Sequence, residues 1–183
     1  MESINLKSNK DEYIQGPLII KPTIYKDERG HFFESWNKKN FQKLIERPIE
    51  FVQDNQSFSK KGVLRGMHFQ LSPYAQGKLV KCITGSIFDV LIDLRETSPT
   101  FLHWTSLEIN DVKKYTLWIP EGFAHGFLTL SKTARVLYKT TNYWAKDFEK
   151  CIKWNDDKFN IKRPLNRIKD RSPTLSQKDT NGL

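Results

Sequence analysis

Lys78-Leu-Val-Lys-Cys-Ile-Thr-Gly-Ser-Ile-Phe-Asp-Val-Leu-Ile-Asp-Leu94 decides the fold. Two runs rich in branched aliphatic residues, Lys78–Ile83 and Ser86–Leu94, are parted only by Thr84-Gly85, a pair with turn chemistry. Similar short runs recur outward at a spacing near ten residues: Phe51–Asn55, Gly62–Gln70, Trp104–Ile109, Tyr115–Ile119, Gly126–Leu130 and Arg135–Thr140. Ser98-Pro99, Asn110-Asp111 and Pro120-Glu-Gly122 supply turns between them. Regularly spaced short strands with such breaks predict an all-β sandwich or barrel, and no segment reads as a βαβ unit.

On the N-terminal side, a polar start gives way to Pro17–Tyr25, which reads as an extended edge segment. A turn at Lys26–Gly30 and a strand at His31–Trp36 follow. Residues 37 to 46 predict a helix, because Phe41, Leu44 and Ile45 share one face, Asn37 suits the N-cap and Pro48 blocks continuation. Beyond residue 145 the chain turns polar and basic and is expected to pack irregularly on the strands. Ser176-Gln-Lys-Asp179 fits a capping box. A length of 183 residues suits one domain over 1–183, with a core at about 17–145 and a C-terminal packing segment at 146–183.

The 30 Lys and Arg against 21 Asp and Glu give a formal charge of +9, which favours an anionic partner. No basic block exceeds two residues, and no helix-turn-helix, RNP or zinc-finger pattern accompanies the charge, so a nucleic-acid partner is not expected. Two cysteines, Cys82 and Cys151, stand outside any CxxC spacing and suit a reducing cytoplasm. No apolar stretch approaches a signal segment or a membrane span, so no membrane partner is expected either.

Chemistry concentrates in Gly62-Val-Leu-Arg-Gly-Met-His-Phe-Gln70, where a histidine follows an arginine by three positions. Strict alternation would send Arg65 and His68 to opposite faces, so a shared site requires a one-residue slip, most cheaply at Gly66. The same pair also reads as a solvated arginine beside a half-buried, hydrogen-bonded histidine. A second histidine, His125, sits in Pro120-Glu-Gly-Phe-Ala-His125, the shape of the second metal motif of cupin jelly rolls. The first motif is missing: His68-Phe-Gln70 places a glutamine where HxH needs a histidine, and two imidazoles alone make a poor transition-metal site. No metal is therefore expected. The polar inventory has to work by proton transfer and charge stabilisation, with His68 a candidate base, Arg65 and Lys78 fixed cations and Tyr138 a phenol able to donate. Lys78 as strand-edge protection and Tyr138 as ordinary core remain open on pattern alone.

Taken together, Asp27–Glu34, Phe51–Asn55, Gly62–Gln70, Ala75–Lys78, Phe88–Arg95, Ser98–Phe101, Trp118–Phe127, Tyr138–Tyr143 and Leu175–Asp179 resemble, in order, the dTDP-4-dehydrorhamnose 3,5-epimerase family. The resemblance spans about residues 17 to 180. It implies a cupin-like jelly roll with a few short helices, working without metal or coenzyme on dTDP-4-dehydro-6-deoxy-glucose in the cytoplasm. It also implies a homodimer in which a strand carrying Arg29 and Glu34 is exchanged between subunits. By position His68 matches the family's base, Asp179 the carboxylate that orients it, Tyr138 the acid on the opposite face and Lys78 the residue at the developing enolate oxygen. Nucleotide and sugar contacts carry over to Arg29, Glu34, Gln53, Asp54, Asn55, Arg65, Lys78, His125, Glu149 and Lys178, with Phe32 and Trp144 as stacking partners for the base. Single-carbon epimerases, 3,4-ketoisomerases and a non-catalytic sugar-nucleotide-binding cupin share the scaffold.

Three departures from the family pattern carry expectations of their own. Trp144 replaces a tyrosine found in several members, keeping the stacking face and losing the hydroxyl. Ile161-Lys-Arg-Pro164 lacks the usual tryptophan before the proline, which is expected to change how the C-terminal segment docks. The sequence ends four residues after Asp179, so Asp179 is expected to be less firmly held than in longer members.

Overall fold

The computed structural model describes residues 2–182. Two antiparallel sheets face each other. One contains β1 (Glu2–Lys7), β2 (Tyr13–Lys21), β5 (Gln53–Lys60), β7 (Lys78–Thr84), β10 (Thr116–Ile119) and β12 (Thr133–Thr140), in the order β1-β2-β10-β7-β12-β5. The other contains β6 (Leu64–Gln70), β8 (Ser86–Asp93), β9 (Trp104–Asn110), β11 (Phe123–Thr129) and β13 (Glu149–Cys151), in the order β13-β6-β11-β8-β9. A hairpin of β3 (Ile24–Asp27) and β4 (Gly30–Phe33) belongs to neither sheet.

The expected all-β jelly roll is what these strands form. Thr84-Gly85 does not close a hairpin; it carries the chain from one sheet to the other, because β7 and β8 lie in different layers. The same change of layer occurs between β5 and β6, β6 and β7, β10 and β11, and β11 and β12. Between the layers, Val80, Leu117 and Val136 of the six-stranded sheet meet Ile87, Leu91, Ile109 and Phe127 of the five-stranded sheet.

Both outer faces are partly covered as well. Helix α1 (Lys38–Ile45) lays Phe41 edge-on against Trp118, with ring centroids 5.3 Å apart, beside Trp36 and Phe51. On the opposite layer, Phe159 packs with Met67, Val90 and Ile92, while Ile168 packs with Leu64 and Leu128. Strands covered on two sides need apolar residues on both, which is why all seven residues of β11 are buried and why the central runs read as continuous rather than alternating.

Asn37 caps α1 as expected, its Oδ1 accepting the Asn40 amide proton at 3.0 Å, and Glu46 ends the helix in a left-handed conformation two residues before Pro48. The N-terminal expectations need correction. The polar start forms β1, and Pro17–Tyr25 is no edge: β2 lies between β1 and β10, with Leu6 and Ile14 in the core. The register between β1 and β2 jumps at Asn5/Leu6, where Ile14 and Leu18 face consecutive residues of β1. Pro17, which has no amide proton, falls within that irregularity and costs no ladder bond. The His31–Trp36 strand is shorter than expected, since β4 stops at Phe33.

The slip foreseen at Gly66 is present. His68 faces His125 and Arg65 faces Phe127, so three steps along β6 match two along β11. Gly66 has a φ of +116, and a Cβ there would stand 2.5 Å from Gly126 Cα and 2.6 Å from the His125 carbonyl. Gly66→Ala should therefore destabilise the protein by about 3 kcal/mol or more in urea unfolding, through both backbone strain and overlap with β11. Gly30→Ala is the matched control: it shares a positive φ of +127 but has nothing within 4 Å of the added carbon. Equal losses for the two variants would contradict the bulge as a close-packed device.

Candidate active site

The bulge turns both Arg65 and His68 toward one end of the sandwich, where the two sheets part around a two-lobed cleft. One lobe, about 360 Å³, is lined by Gln53, Asn55, His68, Gln76, Lys78, Tyr138, Trp144 and Glu149. The other, about 260 Å³, takes in Ser57, Arg65, His68, Lys78, His125, Tyr138, Ser176 and Asp179. His68, Lys78 and Tyr138 are common to both lobes. His68 and His125 come from one sheet, while Asn55, Lys78 and Tyr138 come from the other. An imidazole and a phenol thus stand on facing walls.

Asp179 holds His68 in place. Its Oδ1 lies 2.7 Å from His68 Nε2 and also accepts the Gly66 amide proton at 3.1 Å, while Oδ2 accepts the Ser176 hydroxyl proton at 2.6 Å. Half of the expected capping box forms: the Asp179 amide donates to Ser176 Oγ at 3.2 Å on the short helix α2 (Gln177–Thr180), while the Asp179 carboxylate accepts the Ser176 hydroxyl proton. Asp179 therefore has its backbone amide capped by Ser176 while its side chain orients a histidine. Burial pushes its pKa up, but the bonds from His68, Ser176 and Gly66 outweigh that and hold it at about 2. Asp179 is firmly held despite lying close to the last residue: it is 3% exposed and its carboxylate has three partners.

Lys78 is buried, and its Nζ reaches across the cleft to donate to the His68 carbonyl at 3.3 Å. Burial lowers its pKa to about 8; the charges of Glu149 and Asp89 resist that fall, and Lys178 adds to it. Near neutral pH the group is mostly an ammonium poor in hydration, the state that interacts most strongly with a new anion. The Tyr138 phenol is pushed above its ordinary value by burial and then by the Glu149 charge, so it keeps its proton.

The remaining polar groups are set by one another. Arg65 donates from Nε to Ser59 Oγ at 3.0 Å and from its terminal nitrogen to the Phe58 carbonyl at 3.3 Å. His125 Nε2 lies 3.0 Å from Asp89 Oδ2, and Asp89 is wholly buried. Gln53 donates to Asn55 Oδ1 at 2.8 Å and accepts from the Trp144 amide at 3.1 Å. Glu149 accepts the Trp144 indole proton at 2.8 Å and pairs with Lys178. Its pKa is raised by burial but lowered further by the bonds from Lys178 and Trp144, with a net fall. The indole at position 144 thus supplies a hydrogen-bond donor as well as a stacking face.

Five expected ligand contacts are not among the residues lining this cleft; one of them, Lys178, stands next to it through its pair with Glu149. Asp54 sits on the outer face of β5, between the inward Gln53 and Asn55, and bonds Lys139 Nζ at 2.9 and 3.0 Å. Arg29 pairs with Asp27, and Phe32, on the β3–β4 hairpin, is 73% exposed. Glu34 accepts from Asn37 and Asn40 at the start of α1. Sequence reading missed Ser57, Gln76 and Asp89; only Asp89, an acid within the apolar run Ile87–Leu91, carried a visible signal. At the second departure from pattern, Arg163 reaches Met67 Sδ at 3.5 Å and lies over Trp154, docking the tail onto the bulged strand.

The family model described as dTDP-4-dehydrorhamnose 3,5-epimerase matches residues 11–183. The chain belongs to the dTDP-4-dehydrorhamnose 3,5-epimerase family. A curated epimerase of that name from Shigella flexneri is 52% identical over 165 residues, covering 90% of this chain and 88% of its own. The solved structure of the Mycobacterium tuberculosis epimerase matches with a TM-score of 0.92 at 36% identity, over 100% of this chain and 88% of that one. A Legionella pneumophila 3,5-epimerase solved in complex with dTDP-4-keto-L-rhamnose matches with a TM-score of 0.86 at 41% identity, over 97% and 90%.

Because Asp179 titrates near pH 2 rather than at the ordinary 3.8, its ionised form stabilises the fold fully above about pH 4 and loses that effect as pH falls through about 2. The contribution is on the order of 2 kcal/mol, about half of it lost between about pH 6 and about pH 3. Urea unfolding at those two pH values should show the protein losing about 1 kcal/mol more than Asp179→Asn. Equal losses would contradict the buried, ionised dyad.

Proposed function

We propose that the protein epimerises dTDP-4-dehydro-6-deoxy-D-glucose at C3 and C5 to give dTDP-4-dehydro-L-rhamnose, without metal or coenzyme. The observation that carries this reading is the placing of His68 and Tyr138 on facing walls of one cleft, with the Lys78 ammonium shared by both lobes. Carbons next to a ketone lose protons only if the enolate oxygen is stabilised as charge develops on it. His68, oriented by Asp179, takes the proton from one face. Lys78 stabilises the enolate oxygen, and Tyr138 returns a proton to the opposite face, which inverts the carbon. Solvent protons then restore the tyrosine while His68 gives up its own.

The cations Arg65 and Lys178 suit a diphosphate, and Trp144 offers the thymine an aromatic face at the edge of the cleft. We infer that a second copy completes the pocket. The β3–β4 hairpin pairs with no other strand among the described residues, and it carries the exposed Phe32 together with Arg29. The protein would act in the cytoplasm, where the free thiols of Cys82 and Cys151 stay reduced. Among the described residues, no helix is long and apolar enough to cross a membrane.

Incubation with the 4-keto sugar nucleotide in deuterated water, followed by proton NMR, tests the reaction. Deuterium should enter at both C3 and C5; entry at C3 alone would sink the double epimerisation, and tight binding with no entry would indicate a binding module. His68→Ala should cut exchange at both carbons at least about a hundredfold while nucleotide affinity stays within a few-fold. The same preparation should sediment as a dimer. A single-chain mass with full activity would rule out the shared pocket.

A further inference from the structure

Beneath the floor of the cleft, three metal-binding atoms converge that the proposed proton transfer does not need together. A ring nitrogen of His68, Cys151 Sγ and a carboxylate oxygen of Asp179 all lie within 4.8 Å of one another. They come from β6, β13 and α2, and Cys151 is the direct cross-strand partner of His68. Asp179 and His68 line the cleft, so the cluster is reached from it. Cys151 has only a weak contact, Sγ to the Ile152 carbonyl at 3.6 Å, and forms no disulfide.

We propose that His68, Cys151 and Asp179 form an inhibitory site for a thiophilic divalent cation such as Zn2+, whose binding removes His68 from proton transfer. One imidazole, one thiolate and one carboxylate, with a fourth position open to the cleft, are a donor set suited to zinc and unsuited to Mg2+ or Ca2+. Donor atoms around a tetrahedral zinc stand about 3.5 Å apart, so side-chain shifts of about 1 Å close the site. The cation replaces the proton shared between His68 and Asp179 and displaces the thiol proton of Cys151 to solvent; no oxidation or reduction is involved. Zinc binds a thiolate and not a thiol, so a proton must leave Cys151 on binding and inhibition should sharpen as pH rises. The site itself stands on geometry. Its consequence, inhibition, rests on the reading of His68 as the base.

Two measurements on the full chain, first stripped with chelator, separate those claims. Co2+ serves as a spectroscopic probe: a thiolate-to-cobalt charge-transfer band should appear with the wild type and with Cys82→Ser and be absent from Cys151→Ser. Zn2+ should inhibit deuterium exchange into the sugar in the wild type, and Cys151→Ser should keep its exchange while needing at least about tenfold more Zn2+ for half-inhibition. If Cys151→Ser folds poorly, Cys151→Ala and the wild-type cobalt spectrum decide the matter. A wild type without the band, or equal inhibition of wild type and Cys151→Ser, overturns the proposal. Failure of the epimerase reading would remove the exchange signal but leave the cobalt band intact.

Discussion

The two-residue period of a β-strand is the constraint on which this site depends. A regular β6 would send Arg65 and His68 to opposite sides of the sheet, one into the cleft and one away from it. The bulge at Gly66 absorbs one residue and brings both to the cleft. The same glycine fits where no side chain would, against Gly126 and the His125 carbonyl, and its free amide donates to Asp179. One backbone irregularity thus aims the base, admits the neighbouring strand and anchors the carboxylate that orients the base. The C-terminal segment is held to the start of the same strand by the Leu64 amide donating to the Thr174 carbonyl at 3.0 Å and to its middle by Arg163 against Met67.

The charges of the cleft form a set in which each limits the others. Lys78 is buried deeply enough that desolvation drags its pKa to about 8, and without Glu149 and Asp89 nearby it would fall further. Those carboxylates are in turn committed elsewhere, Glu149 to Lys178 and Trp144, Asp89 to His125. Such an arrangement keeps a poorly hydrated cation available without letting it collapse into a salt bridge, which is the condition for stabilising an anion that exists only during reaction. Tyr138, in the same surroundings, is kept protonated by burial and by the Glu149 charge.

The strands from β5 to β12, helix α1 and the Gly66 slip were legible because each rests on local rules: apolar runs, turn pairs, an Asn cap and the cheapness of a bulge at glycine; β13, three residues in the polar tail expected to be irregular, was not. The layer each strand joins was not, since Thr84-Gly85 reads the same whether it closes a hairpin or crosses between sheets. β1 was hidden by its polarity, because it buries only Leu6. Asp179 was legible locally as a cap and only through family resemblance as a partner of His68, being 113 residues from the Gly66 amide it accepts. Alternation along Gln53-Asp54-Asn55 already implied that Asp54 faces away from its neighbours, and the structure places it there. Arg29, Phe32 and Glu34 cannot be assigned to a cleft within one chain, because the hairpin and the start of α1 lie apart from it. Cys151 carried no signal, since its position opposite His68 depends on how β13 pairs with β6.

The central claim is that proton removal and proton return occur from opposite walls, by His68 and Tyr138. Its most direct test is the stereochemistry of the product that Tyr138→Phe forms in deuterated water. With the base intact and the opposing acid gone, deuterium should still enter beside the ketone but return from the His68 side, giving labelled sugar with its original configuration. Inverted, labelled sugar formed at the rate of the unaltered protein would show that the opposing proton comes from elsewhere, and the two-wall account would fail.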